Sequence, residues 1–499
     1  MSAYLPRPDS RTRLTCLFVF VLTGCAPLGA SGAATVTLPS TTKGDVAFTP
    51  TDGAAELDPA KTEVVVRSVT PDAHLKSVTL QPEGGLLVGG AVKNGQVNIK
   101  RQLKTDTRYV VTAIASVRHR GDTSDSIETQ TSSFSTATTP RIVSTNPLSI
   151  GQGQSIVLTL SPAASRVALS GPVKGQLGPD GTTVTVVPLE YKQGQTYTFT
   201  ITARSLRGIA GSPQAATFKT MPPATAAAYP DAGSTNLGVG IPFTVTLSSP
   251  PADKNALASR FSATVTVNQP AAAAGAGLCS QPPYASPAAA TGDLPVTAAW
   301  TTDRRVRLVP KTPDGYWPAN STIKLTAALR GLTTSAGSVF EDDLTSSFST
   351  GDKRVIDVDL SSQHLVACKN GTQANDFAIS TGTSTHATYV GSYYIYRRVA
   401  DEEMKSPEGP FAPDFYDIKH VPWTQYFDGG EALHGAWWHN NFGHPMSHGC
   451  VNVQTPTANS QWPAAVPQAE YLWNFDNLGD PVFVRGVTPG LTAATQPTD

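Results

Sequence analysis

The chain has 499 residues, room for several domains at roughly 100–200 residues each, and balances 37 Lys+Arg against 38 Asp+Glu. That balance excludes charge-driven binding to nucleic acid or to an anionic membrane surface, so no nucleic-acid partner is expected. Charged residues are only 15%, with 42 Gly and 40 Pro amid abundant Thr, Ser, Val and Ala; this composition fits a turn-rich, mainly β, exported protein.

The N-terminus carries Arg11 and Arg13, then the apolar run Leu14 to Leu22. A basic region before a short apolar one reads as a signal peptide. It is too short to cross a bilayer as a mature helix, which needs roughly 20 apolar residues. It ends in Leu22-Thr23-Gly24-Cys25, which resembles the lipobox of bacterial lipoproteins. The resemblance implies removal of residues 1–24 and lipidation of Cys25. Residues 25–35 then form a tether, and the protein is anchored on the outer face of the cytoplasmic membrane. Cleavage nearer Ala30-Ser31-Gly32-Ala33 is the alternative.

A weak repeat follows. Three segments close on Ser133-Phe134-Ser135-Thr136, Thr217-Phe218-Lys219-Thr220 and Ser347-Phe348-Ser349-Thr350. Each is preceded by an alternating strand: Thr107 to Thr112, Thr196 to Thr200, and Thr322 to Thr326. Period-two alternation of Val, Thr, Tyr and Phe, broken by Gly, Pro, Asp and Asn, predicts short half-buried strands. Segments of this kind and length predict three immunoglobulin-like β-sandwiches, over 36–138, 139–222 and 223–352. They read as spacers. In the third, the Ala- and Pro-rich stretch Gln269 to Asp293 reads as a mobile loop. A last, mostly-β domain spans 353–486, with a helix near Pro467 to Asn474. Residues 487–499 read as a disordered polar tail.

The last domain holds the chemistry. His434-Gly435-Ala436-Trp437-Trp438 is followed by Ser447-His448-Gly449-Cys450-Val451-Asn452. A thiol near an imidazole is a candidate nucleophile, because the thiolate is the reactive form and the imidazole takes the proton. The glycines leave backbone N–H groups uncovered, as an oxyanion site requires. Upstream lie Ser380-Thr381-Gly382 and Thr388-Tyr389-Val390-Gly391, and then Val421 to Gly430 leads into the histidine.

Together these motifs resemble the signature of L,D-transpeptidases, the cysteine enzymes that build 3→3 cross-links in bacterial peptidoglycan. The resemblance covers roughly residues 353–486, about a quarter of the chain. Tyr389 departs from it, standing where the family usually has proline. Carried across by position, Cys450 is the nucleophile, His434 the base, and Gly435 the carbonyl that orients the imidazole. His448, Gly449 and Cys450 supply oxyanion N–H groups, and Ser447 and Asn452 support the turn. Trp423, Tyr426, Trp437 and Trp438 are candidate groove walls. Adjacent Trp437 and Trp438 point to opposite faces of a strand, so at most one lines the site; Tyr426, Trp437, Ser447 and Asn452 are placed with the substrate.

The implied partners are peptidoglycan stem peptides, and no cofactor is implied. Water as acyl acceptor gives an L,D-carboxypeptidase instead. A non-catalytic cell-wall scaffold is the alternative from another class, and the intact His434 and Cys450 argue against it. His434, His439, His444 and His448 crowd near Cys450, but their spacing lacks the paired geometry of zinc motifs, so no metal is expected. Cys16 leaves with the signal peptide. Cys279 and Cys368 remain, either bridged or as two buried thiols.

Overall fold

The computed structural model describes residues 39–270, 275–406, 409–411, 414–456 and 467–498. The signal segment, Cys25 and the tether lie outside the described residues. Two compact units divide at Thr138.

The first unit is a sandwich of a four-stranded and a five-stranded sheet. Its strand Ala73–Pro82 alternates buried and exposed residues over most of its length, as a strand with one face on a core must. Phe48, Val66, Leu80, Tyr109 and Phe134 fill the space between the sheets.

The second unit begins with two further sandwiches, each of two four-stranded sheets. The sequence repeat has a physical cause. Tyr109 stacks on Phe134 and Tyr197 on Phe218, with centroids 5.3 and 5.1 Å apart. In the third sandwich Trp317 meets Phe348 edge-on at 5.6 Å. The threonine two residues beyond each phenylalanine donates its hydroxyl proton to a main-chain carbonyl. Thr136 meets Lys104 at 2.7 Å, Thr220 meets Lys192 at 2.5 Å, and Thr350 meets Pro318 at 2.6 Å. Each pair therefore supplies one aromatic core contact and one satisfied buried hydroxyl.

The last domain has two sheets around a core that includes Ile356, Leu365, Phe377, Leu433, Val451 and Val482. The five-stranded sheet runs Thr372–Ala378, His364–Lys369, Arg354–Asp359, Pro481–Arg485, Gly391–Tyr394. The four-stranded sheet runs Arg397–Lys405, Asp417–Asp428, Glu431–Ala436, Val451–Gln454. The expected helix is present at Gln468–Phe475.

Two expectations are corrected. The stretch 275–293 is not a mobile loop. Cys279 is bridged to Cys368 of the last domain, with Cα atoms 5.5 Å apart. Tyr284 lies edge-on to Phe483 at 5.4 Å and donates to the Asp357 carboxylate at 2.5 Å. An Ala- and Pro-rich segment was legible only as low complexity, and its anchors are distant in sequence. The tail is likewise packed: Thr488 and Gln496 are buried. Gln496 Nε2 donates to the Thr388 carbonyl at 2.8 Å, and its Oε1 accepts from Thr488 N–H at 2.8 Å.

The third sandwich and the last domain are thus joined covalently and by packing. Lys353 is buried, donates to Asp314 and to the Ala285 carbonyl at 2.8 Å each, and burial lowers its pKa. The N–H groups of Gly238 and Gly240 meet the carbonyls of Leu478 and Gly479 at 2.8 Å. All 7 tryptophans lie in these two domains, so indole fluorescence reports on them selectively. Replacing Cys279 and Cys368 together by Ser should lower the denaturant midpoint by the equivalent of about 2–4 kcal/mol. An unchanged midpoint would show that the bridge adds nothing to stability.

Candidate active site

The strands Glu431–Ala436 and Val451–Gln454 are parallel, with Leu433 opposite Val451 and His434 opposite Asn452. Parallel neighbours need a crossover connection, and here residues 437–450 supply it. Cys450 ends that crossover, immediately before the second strand. His434 and Cys450 are brought to one pocket of about 270 Å³, lined also by Met404, Tyr416, Ile418, Trp438, Met446, Ser447, His448 and Asn452. Met404, Tyr416 and Ile418 come from the hairpin that joins Arg397–Lys405 to Asp417–Asp428.

The histidine is held from behind. His434 is buried, and its Nδ1 lies 3.2 Å from the Gly435 carbonyl. A proton on Nδ1 donated there leaves the Nε2 lone pair as the ring's basic site. Gly435 has no room for a side chain, since a Cβ would meet Pro422 at 2.8 Å and Thr455 at 3.0 Å. Trp438 lies over the ring at 5.7 Å.

The cysteine turn is braced by hydroxyls. Ser447 Oγ donates to the Cys450 carbonyl through a short hydrogen bond and accepts from Gly449 N–H at 3.2 Å. Thr388 Oγ1 donates to the Gly449 carbonyl at 2.7 Å and accepts from Gly382 N–H at 3.0 Å. Gly449 has φ +125°, a conformation open to glycine and strained for other residues. Ser380 exchanges main-chain hydrogen bonds with Asn452 at 3.0 and 2.8 Å. The Ser380-Thr381-Gly382 segment therefore lies alongside the cysteine motif.

Asn452 faces His439. His439 Nδ1 accepts from Asn441 N–H at 3.2 Å, which places the ring proton on Nε2. The Asn452 amide lies 2.9 Å from that Nε2, and its Oδ1 is otherwise without a partner. The amide orientation with Oδ1 accepting from Nε2–H satisfies both groups. Burial lowers the His439 pKa and keeps it neutral in this role.

Electrostatics make the resting pair neutral. Burial pushes His434 down to about 4. Cys450 is partly open to solvent, yet the protein packed around it pushes its thiol up to about 12. An Ala432 N–H bond opposes that rise and Glu431 adds to it. The free protein therefore holds a neutral thiol, which donates to the Gly430 carbonyl at 3.8 Å, in the same pocket as a neutral imidazole.

Glu431 is the residue the sequence reading missed. Burial pushes its carboxyl up to about 8. It accepts from Tyr389 N–H at 3.2 and 3.3 Å, and a Cβ on Gly449 would lie 3.2 Å from its Oε1. Tyr389 thus has a use for the N–H that a proline would lack. The signal in the sequence was the pair of an unexpected Tyr389 and an acid three residues before His434.

The remaining candidates are spread out. Trp438 lines the pocket, while Trp437 is 37% exposed and meets Trp438 edge-on. Tyr426 is half-buried outside the pocket lining, with its ring 6.2 Å from Tyr396 and 4.9 Å from the Arg397 guanidinium. Trp423 packs on Trp473 of the helix at 5.5 Å. His448 is exposed, its ring lying between those of His386 and Tyr416.

Two measurements check the electrostatics. Glu431 has a folded pKa raised from 4.5 to about 8, so its contribution to stability is present below 4.5 and declines as pH rises through about 8. Glu431→Gln should flatten the fall in melting temperature across that window; an unchanged slope would mean the carboxyl is not held protonated. Iodoacetamide labelling of Cys450, followed by peptide mass, should climb steadily between about pH 7 and 10. A plateau near neutrality would instead reveal a preformed thiolate.

Residues 353–484 match the L,D-transpeptidase catalytic domain. Residues 167–276 match a bacterial Ig domain, a stretch that runs from the second sandwich into the third. L,D-transpeptidase 5 of Mycobacterium tuberculosis is 26% identical over 371 residues, covering 71% of this chain and 70% of that protein. L,D-transpeptidase 2 of the same species is 26% identical over 305 residues, covering 58% of this chain and 65% of that protein. A solved L,D-transpeptidase from Mycobacterium smegmatis covers 53% of this chain and 99% of its own, at 21% identity and a TM-score of 0.37. The chain is therefore mainly β, and its last domain matches the L,D-transpeptidase catalytic domain and follows Ig-like structure.

Proposed function

We propose that the protein forms 3→3 cross-links in peptidoglycan by acyl transfer through a thioester on Cys450. The observation that carries this reading is the parallel strand pair that brings His434 and Cys450 to one pocket. As the Cys450 sulfur attacks the carbonyl of the third stem residue, a diamino acid, His434 Nε2 takes the thiol proton. Starting from a neutral pair, proton transfer accompanies S–C bond formation and no buried ion pair has to be maintained beforehand. The tetrahedral oxyanion is met by N–H groups of the turn. Gly449 N–H is already donated to Ser447, which leaves His448 and Cys450 as the other donors. Collapse expels D-alanine, whose amine receives the proton from His434. The side-chain amine of a second stem then attacks the thioester, gives up a proton to His434, and frees the thiol.

Water in place of that amine yields carboxypeptidase activity with the same machinery. Incubation with disaccharide-tetrapeptide and mass analysis separates cross-linked dimers from tripeptides. The lipobox resemblance at Cys25 supports anchorage at the outer face of the cytoplasmic membrane. Cys25→Ala should move the protein out of the membrane fraction or leave it unprocessed.

Cys450→Ala should abolish dimer formation with the fold intact, because the small site accepts a methyl group; persistent cross-linking would remove Cys450 from the mechanism. His434→Gln should slow acylation by a carbapenem by roughly 10²–10⁴-fold. His439→Gln should change it little, since Gln can still meet Asn452. Equal losses in the two variants would overturn the assignment of His434 as the sole base.

A further inference from the structure

We propose that His386, Asp414 and His448 form a zinc site at the rim of the active-site pocket. Their ligand atoms all lie within 4.8 Å of one another. His386 Nε2 is 3.7 Å from Asp414 Oδ2, and the two imidazole centroids are 4.7 Å apart. Zinc binds imidazole nitrogen and carboxylate oxygen at about 2.0–2.2 Å, so small movements of partly and fully exposed side chains bring all three into reach.

The orientation of His386 suits ligation. Its Nδ1 lies 3.1 Å from Thr385 Oγ1, which leaves Nε2 as the nitrogen turned toward Asp414. Metal-bound imidazoles characteristically have their other nitrogen hydrogen-bonded in this way. Two imidazoles and one carboxylate suit zinc, with a water in the fourth position. They do not suit calcium or magnesium, which take oxygen ligands.

The three ligands come from three elements around the pocket. His386 is in the loop after Ser380-Thr381-Gly382. Asp414 is in the hairpin connection next to Tyr416, which lines the pocket. His448 is two residues before Cys450. A bound ion would fasten the hairpin to the cysteine turn. The histidine spacing along 434–448 gave no metal motif, because two of these ligands lie outside that stretch and only folding assembles them.

The test uses the full chain carrying Cys450→Ala, so that the active-site thiol cannot bind the ion. Zn²⁺ is titrated in competition with a chromophoric chelator. The expected result is one tight equivalent per chain, weakened at least about ten-fold by His386→Ala and by Asp414→Asn, and unaffected by His364→Ala on another surface. Hydrogen exchange around Asp414 and His448 should slow on adding Zn²⁺. Circular dichroism confirms that the variants remain folded. Absence of a stoichiometric equivalent in the Cys450→Ala protein, or binding indifferent to both His386→Ala and Asp414→Asn, would overturn the proposal. The readout is metal occupancy, so its failure leaves the acyl-transfer reading standing, and failure of that reading leaves it standing in turn.

Discussion

The parallel pairing of Glu431–Ala436 with Val451–Gln454 is the constraint on which the site depends. A histidine inside one strand and a cysteine at the mouth of the next become neighbours only if the two strands run the same way in this register. A shift of one residue would turn each side chain to the opposite face. The register is fixed by what lies on either side. Leu433, Val451 and Val453 are buried in the domain core, and Ser380 pairs with the Asn452 main chain. The hydroxyls of Ser447 and Thr388 then set the turn that presents the sulfur. The geometry of the site rests on strand pairing, with side-chain hydrogen bonds refining the last few residues.

That placement has an electrostatic consequence. Enclosure pushes His434 and Cys450 in opposite directions, both toward the uncharged form. An ion pair would need solvation that the enclosed site does not offer. Glu431, beside the same turn, follows the rule and is held protonated toward about 8. An ionised carboxylate there would oppose formation of the thiolate. Its protonation keeps negative charge away from Cys450.

The motif residues were legible in the sequence because they lie close together along the chain. His434, Gly435, Ser447, Cys450 and Asn452 are within nineteen positions, and their residue types state their chemistry. The sandwich strands were legible from alternation, and the Phe-x-Thr repeat marked a packing and hydrogen-bonding unit. What stayed hidden was long-range. Nothing local ties Cys279 to Cys368, Tyr284 to Asp357, or Gln496 to Thr388. Composition alone made the insert and the tail look disordered, since Ala, Pro and Thr carry little periodic signal. Choosing between Trp437 and Trp438 required knowing which face of the crossover meets the pocket.

The insert and the tail also change how the last domain is understood. The disulfide, the buried Lys353–Asp314 pair and the Tyr284–Asp357 bond all cross from the third sandwich into the sheet that contains Arg354–Asp359. That sheet ends on Gly391–Tyr394 at its other edge, and the loop just before this strand carries Thr388, whose carbonyl Gln496 holds. Thr388 in turn holds Gly449. A continuous set of buried contacts therefore runs from sandwich to sheet to cysteine turn. Buried polar groups of this kind are costly to leave unpaired, so the sandwich cannot be removed without exposing Lys353, Asp357 and Cys368 together. The third sandwich is structurally continuous with the last domain, on which Cys450 is mounted.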